Sequence, residues 1–389
     1  MLTRIAMLAL FTVSTLLPGA LAAAPGDAAP IFATKARQVY MVEAKSGTVL
    51  LANNENQAFP PASLAKLMTM DLVFSALKNG EITPETTYKV SENAWRKGGA
   101  PSGTTTMFAA LNSVIRVDDL VRGVVIQNGN DACMILAEGM AGSDALFASR
   151  LSDRARDLGM SRSVFGNSTG LPDAESHTTA RDMVTLARHI HTTYPDYYGL
   201  YAQPDFTWNK IFQRNKNPLL GLNMGIDGLG AGFAEGAGFA AVASVERNGT
   251  RLFLALGGLA SDKERSEEAR RILEWGLSAF ENRIVFKDGE AVGQASVYGG
   301  AQGRVDLVAA GPIELYVPTD NLERLSARIV YRWPLRAPVA VGQDVGVLKV
   351  YSGERLLREV PLHAAAAVAT GSLVSQATDA LLEMMFFWL

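Results

Sequence analysis

The chain has 389 residues, 48 % of them hydrophobic and 19 % charged, which suits a globular protein of more than one domain with an ample core. A net charge of −3 gives no footing for nucleic acid. With one cysteine, Cys133, no internal disulfide can form, and a lone thiol reads as a small core residue.

The first segment, MLTRIAMLALFTVSTLLPGALAAAP, has one basic residue (Arg4), then an apolar run, then small residues. It reads as a secretory signal peptide over residues 1–22, with Ala20-x-Ala22 as the cleavage signal; the other reading is an uncleaved anchor. Residues 38–44 and 48–52 flank Lys45-Ser46-Gly47, a strand–turn–strand pattern. In SLAKLMTMDLVFSALKNG, residues Leu64, Leu67, Met68, Leu72, Val73 and Leu77 recur at helical spacing, and Gly80 ends the run. Further helices are expected at 118–139, 143–158, 179–193 and 262–280. Residues 238–247 and 251–257 are apolar strands joined by Asn248-Gly249, a strong hairpin signal. Strands at both ends with helices between predict an α/β (α+β) sandwich whose sheet is closed by its N- and C-terminal strands.

Near residue 281 the pattern changes to short apolar runs separated by glycine and proline (RVDLVAA, IELYVP, ARIVYRW, VGVLKVY). This predicts a small all-β domain over 282–363, after a first domain over 30–281, with an Ala-rich linker at 364–369. In the tail, residues 370–389, Ser372, Ser375, Gln376, Asp379 and Glu383 form one polar stripe; Leu373, Val374, Ala377, Leu381, Leu382, Met385, Phe386 and Trp388 cover the rest. The expectation is an amphipathic helix lying in a membrane surface, with docking on protein as the alternative.

Ser63-Leu64-Ala65-Lys66 is an S-x-x-K at a helix start, and position i+3 lies one turn on along the same face. Serine is a weak nucleophile until a base takes its proton, and lysine serves as that base only with a depressed pKa. By itself the spacing is unspecific, because serine before a helix is commonly an N-cap and lysine at i+3 a solvated charge. The four histidines (His177, His189, His191, His363) show no ligand spacing with acids or cysteine, so no metal is expected.

Several longer stretches join this motif in order: PASLAKLMT, VIQNGNDACMILAE, FGNSTGLPDAESHTTARDM, GIDGLGAGFAEGAGF and ERSEEARRILEWG. Together they resemble the D-alanyl-D-alanine carboxypeptidases among the low-molecular-weight penicillin-binding proteins, whose signature is S-x-x-K, S-x-N and K-T-G. The resemblance covers about residues 30–389. It implies a penicillin-binding-protein/β-lactamase-like fold with a small C-terminal all-β domain, a periplasmic location on the outer face of the inner membrane, and action on the peptidoglycan stem peptide without cofactor. β-Lactams would be covalent inhibitors. Ser63 would be the nucleophile, Lys66 its base and Asn130 the third catalytic residue. Asn128, Gly230, Ala231, Gly232 and Phe233 would line the substrate site, with the N–H groups of Ser63 and Phe233 as oxyanion hole.

The second motif here reads Asn128-Gly129-Asn130 and the third Gly230-Ala231-Gly232. The family's serine and lysine at these places relay a proton to the leaving amine, and the lysine and threonine help hold the substrate carboxylate. Their replacement implies a slow hydrolase or one of altered preference, and a rise in the Lys66 pKa for want of a neighbouring cation. The alternative is a catalytically impaired peptidoglycan-binding or scaffold homologue. For β-lactamase activity, Glu175 would be the nominal deacylating acid.

Overall fold

A computed structural model describes residues 32–319, 325–333, 335–373 and 376–377. The expected signal peptide lies outside the described residues, as does most of the expected tail helix. The elements below belong to one compact unit that begins at Thr34.

β1 (Gln38–Glu43) and β2 (Val49–Asn53) form the opening hairpin, whose turn is tied by the Glu43 carboxylate accepting the N–H of Lys45 at 2.9 Å and of Ser46 at 2.6 Å. α1 (Ala65–Lys78) follows a 3-10 turn over Ala62–Leu64. Then come the short pair β3 (Thr87–Lys89) and β4 (Val114–Arg116), with α2 (Glu92–Lys97) between them. The helical layer continues with α3 (Val117–Val125), α4 (Asn130–Ala141), α5 (Asp144–Asp157), α6 (Ala180–Thr193) and the single turn α7 (Pro195–Tyr198). A second short hairpin, β5 (Asp205–Trp208) and β6 (Ile211–Arg214), leads to β7 (Ile226–Ala234), β8 (Gly238–Arg247), β9 (Thr250–Leu259) and α8 (Asp262–Ser278).

The main sheet has the order β2-β1-β9-β8-β7, all antiparallel, so the N-terminal hairpin does close against the last strands. Its two faces follow the period of two along each strand. Phe253 and Ala255 of β9 join the core formed with α1, α3, α4 and α6, whereas Leu252 and Met41 lie against Gly276 of α8 on the other face. Ser143, Thr179 and Ser261 cap α5, α6 and α8 by accepting a backbone N–H, about 1 kcal/mol each.

The single helix expected at 118–139 is two helices. Asn128 sits at φ 60°, in the left-handed region where asparagine is tolerated and helix cannot continue. The break over residues 126–129 moves Asn128 off a helix face and onto a turn beside the nucleophile.

From Phe280 to Ala364 the elements among the described residues are strands: β10 (Phe280–Phe286), β11 (Gly293–Tyr298), β12 (Arg304–Val308), β13 (Ile313–Pro318), β14 (Leu325–Tyr331), β15 (Leu335–Arg336), β16 (Asp344–Ser352) and β17 (Arg355–Ala364). Six of them make a sheet of order β14-β16-β17-β12-β11-β15 with its own apolar core. The Ala-rich stretch after β17, expected as a linker, is instead stitched to this unit. Val368 is buried and bridges Val339, and Ala301 donates to the Ala369 carbonyl at 2.8 Å. The unit is pinned to the first sheet by Arg355, whose Nη1 donates to the Leu50 carbonyl at 2.7 Å. Among the described residues no helix is long and apolar enough to cross a membrane.

Candidate active site

Pro61 enters the 3-10 turn that carries Ser63, and Ala62 is held at φ 47°, a left-handed conformation that costs a non-glycine residue about 1–2 kcal/mol. Such strain persists only where neighbours enforce it. Here the neighbour is Gly170 (φ +76°), packed so closely that a Cβ on it would lie 1.7 Å from the Ala62 carbonyl oxygen. The loop bearing Gly170 is braced by Asn167, whose Oδ1 accepts the N–H of Thr169 at 3.1 Å and of Gly170 at 2.7 Å.

Lys66 follows one turn after Ser63 and is buried. Its Nζ lies 3.1 Å from Ser63 Oγ and donates to the Thr169 carbonyl at 2.9 Å. Burial pulls the Lys66 pKa down from 10.5 to about 8, and no cation is among the causes. The direction is thus set by desolvation, opposite to the rise expected for want of a neighbouring cation. Beside it, burial pushes the Cys133 thiol up to about 12, so it stays protonated and inert at neutral pH.

The hydroxyl and the amine open into a cavity of about 30 Å³, room for a water or two. Asn128, Gly230 and Ala231 line it together with Ser63 and Lys66, so the structure brings these five expected residues to one place. β7 is the edge strand of its sheet, which leaves alternate N–H groups facing the nucleophile turn. At Gly232 a Cβ would stand 3.3 Å from the Ser63 nitrogen, so the bare glycine lets the strand approach. Phe233 follows with its ring exposed, packed on Phe239 at 4.5 Å between centroids.

Asn130 is placed differently. It opens α4, its N–H donates to the Thr105 carbonyl at 2.8 Å and its Nδ2 to Thr104 Oγ1 at 3.0 Å. It neither lines the cavity nor bonds to Lys66; its buried Oδ1 has no partner among the described residues. Glu175 is exposed and is not among the residues lining the cavity. His189 contacts Asp71, His191 packs on Tyr198, His177 bonds the Glu175 carbonyl and His363 meets Asp344, all away from Ser63.

Sequence reasoning missed four participants: the Thr169 carbonyl, and Tyr201, Lys216 and Asn217 in the cavity wall. Thr169 falls within the quoted stretch FGNSTGLP, so the resemblance pointed near it; the other three carry no motif.

Two family models match the chain. Residues 24–258 match that of the D-alanyl-D-alanine carboxypeptidases, and residues 280–370 that of the penicillin-binding protein 5 C-terminal domain. The D-alanyl-D-alanine carboxypeptidase DacD of Salmonella typhimurium is 33 % identical over 342 residues, 87 % of this chain and 88 % of that protein. DacC of Escherichia coli is 32 % identical, covering 91 % and 89 %. Among solved structures, penicillin-binding protein 5 from Haemophilus influenzae superposes with a TM-score of 0.73 at 31 % identity, over 87 % of this chain and 98 % of that one. The ampicillin-bound form of penicillin-binding protein D2 from Listeria monocytogenes gives 0.55 at 25 % identity, over 64 % of this chain and all of the other.

Proposed function

Because the chain belongs to the D-alanyl-D-alanine carboxypeptidase family of low-molecular-weight penicillin-binding proteins, we propose that it is a slow serine hydrolase that removes the terminal D-alanine from peptidoglycan stem peptides through an acyl-enzyme on Ser63. The observation that carries this reading is the Lys66 amine, buried, 3.1 Å from the Ser63 hydroxyl and brought to a pKa of about 8. Neutral Lys66 takes the hydroxyl proton as Oγ bonds to the scissile carbonyl carbon. The N–H groups of Ser63 and Phe233 receive the developing oxyanion. The C–N bond then breaks, the departing amine takes the proton from the Lys66 ammonium, and D-alanine leaves. Water repeats the cycle on the ester and frees Ser63.

Asn128 donates and accepts hydrogen bonds but shuttles no proton, and Gly230-Ala231 bring no charge. A lost relay lowers the rate by about 10²–10⁴. That makes the enzyme slow, and it favours a second reading, a peptidoglycan-binding protein without turnover. The leader-like first residues and the family support a periplasmic protein, held at the outer face of the inner membrane by its apolar tail.

Intact-protein mass spectrometry after β-lactam exposure, with Ser63→Ala as control, tests the enzyme reading. The expected result is one adduct, absent from the variant, and D-alanine release from a pentapeptide at high enzyme concentration. Muropeptide binding with neither adduct nor release selects the second reading.

A further inference from the structure

The oxyanion donor on β7 is one end of a peptide unit. The N–H of Phe233 and the carbonyl of Gly232 belong to the same trans amide, so they point to opposite sides of the strand. With the N–H aimed at the nucleophile turn, the carbonyl aims away from it. The group it meets there is Arg265, whose Nη1 donates to the Gly232 oxygen at 3.5 Å.

Arg265 lies near the start of α8 and is only 4 % exposed. That is a costly place for a cation. The helix dipole opposes positive charge at this end, and burial draws the arginine pKa down against the pull of Asp262. The guanidinium stays charged at neutral pH all the same. Its Nη2 pairs with Asp262, whose side chain is 64 % exposed and therefore screened by solvent. Its buried Nε has no partner among the described residues. The guanidinium lies over Phe239, 5.6 Å from the ring centroid, and Phe239 packs on Phe233 at 4.5 Å. The α8 backbone, Asp262 and the Phe239 ring thus hold one charge behind one peptide. On β7 itself, residues Gly230, Ala231, Gly232 and Phe233 bring no charge.

We propose that Arg265 is a positioning residue for the oxyanion hole: from behind β7 its guanidinium polarises the peptide between Gly232 and Phe233 and makes the Phe233 N–H a stronger donor. The proposal rests on the reading of Ser63 as nucleophile and adds the group that activates the oxyanion donor. A cation at an amide oxygen draws electron density from nitrogen to oxygen, which leaves the N–H hydrogen more positive. At this distance the contact is long for a hydrogen bond, and the effect comes from a full charge in a site that excludes water. Bonds in series strengthen one another by about 10–30 %, and outright loss of an oxyanion donor costs about 10²–10³ in rate, so loss of this share should slow acylation about two- to eightfold.

The first test reads the peptide in the resting protein, apart from any chemistry. In the full chain, isotopically labelled at phenylalanine nitrogen, the Phe233 amide resonance is identified by its loss in Phe233→Leu. An amide nitrogen moves to lower field as the carbonyl of its own peptide is more strongly polarised. Arg265→Met keeps a chain packed on Phe239 without the charge and should move the Phe233 nitrogen to higher field. Arg265→Lys keeps the charge and should hold most of the parent shift. Asp262→Asn removes the neutralising partner at an exposed position and should move it to lower field. Where Arg265→Met fails to fold, as thermal unfolding would show, the other two variants decide. The second test reads the acyl-enzyme formed with a penicillin. Arg265→Met should raise the ester carbonyl stretch and lower the limiting acylation rate about two- to eightfold at an unchanged half-saturating concentration, with Arg265→Lys near the parent. A Phe233 shift unmoved in Arg265→Met, equal changes in the Met and Lys variants, or a move to higher field in Asp262→Asn overturns the proposal. A chain that forms no acyl-enzyme while the amide shifts keep their order overturns the enzyme reading and leaves the polarised peptide standing.

Discussion

The pH dependence of acylation measures directly what burial does to Lys66. With a pKa of about 8 in place of 10.5, about one tenth of Lys66 is neutral at pH 7, about one hundredth at pH 6 and most of it above pH 9. An ordinary lysine at pH 7 would be neutral in fewer than about one molecule in a thousand, so desolvation alone raises the reactive fraction about three hundredfold. The second-order rate constant for labelling by a fluorescent penicillin should rise close to tenfold per pH unit up to about 8 and level off by about 9. The same shift has a cost in stability. The folded state binds fewer protons than the unfolded chain between about pH 8 and 10.5, so stability rises with pH through that window and carries the full penalty below it, about 3 kcal/mol. Lys66→Met, which loses bonds to Ser63 and Thr169 worth about 1 kcal/mol each, should therefore be no less stable than the parent at pH 7 while losing acylation. A flat labelling profile, or one still climbing past pH 10, refutes the reasoning about the base. A Lys66→Met variant destabilised by more than about 2 kcal/mol in urea refutes the reasoning about burial.

Three other substitutions report on separate parts of the site. Asn128→Ser with Gly230→Lys and Ala231→Thr should raise D-alanine release by about 10²–10⁴, because the space above Gly230 is open; a folded triple variant that gains nothing shows the third motif to lie elsewhere. Gly170→Ala puts a Cβ into the Ala62 carbonyl at a positive φ, and urea unfolding should show a loss of about 2 kcal/mol or more together with lost labelling. Asp131, fully buried on α4, accepts from Thr106 Oγ1 and from the N–H groups of Met107, Ala109 and Ala132 at 2.5–3.0 Å. Asp131→Asn turns an acceptor into a donor against those groups and should cost about 2–4 kcal/mol, lowering the thermal midpoint accordingly.

What was legible in the sequence depended on how local the cause was. The α1 helix, the β8–β9 hairpin and the Ser63/Lys66 pair are set by periodicity, by Asn248-Gly249 and by the pitch of one helical turn, all within reach of neighbouring residues. The division between α3 and α4 was written in Asn128-Gly129, but the apolar residues on both sides keep a helical period and mask a turn that a single left-handed residue imposes. The strands β3 to β6 have three or four residues each, too few for an alternation to show. Lys216 and Asn217 were invisible for another reason. They line the Ser63 cavity from some 150 positions along the chain, held there by the Asn215 side-chain amide on the Tyr201 carbonyl and by the Lys216 N–H on the Ile126 carbonyl, which no spacing rule records. Asn130 was readable as a helix start, but its turn toward Thr104 instead of Lys66 depends on the loop packed over it.

The form of the cleft is set by backbone packing at glycines. Two of them on one strand allow that claim to be tested side by side. A Cβ on Gly232 would stand 3.2 Å from the Ala62 Cβ, 3.3 Å from the Ser63 nitrogen and 3.4 Å from the Pro61 carbonyl oxygen. Each partner must give by a few tenths of an ångström, and Ala62, already at φ 47°, has little room to turn. A Cβ on Gly230, two residues away on the same strand, meets only a leucine methyl at 4.0 Å. Gly232→Ala should therefore widen the gap between β7 and the Ser63 N–H and slow penicillin labelling by about 10- to 100-fold, since displacements below an ångström at a reacting centre have that effect. Gly230→Ala should leave the thermal midpoint where it was and slow labelling far less. Loss of equal size from the two substitutions would mean that β7 acts through its side-chain side and not through its approach to the nucleophile, and the account of the cleft as a backbone-built oxyanion site would fail.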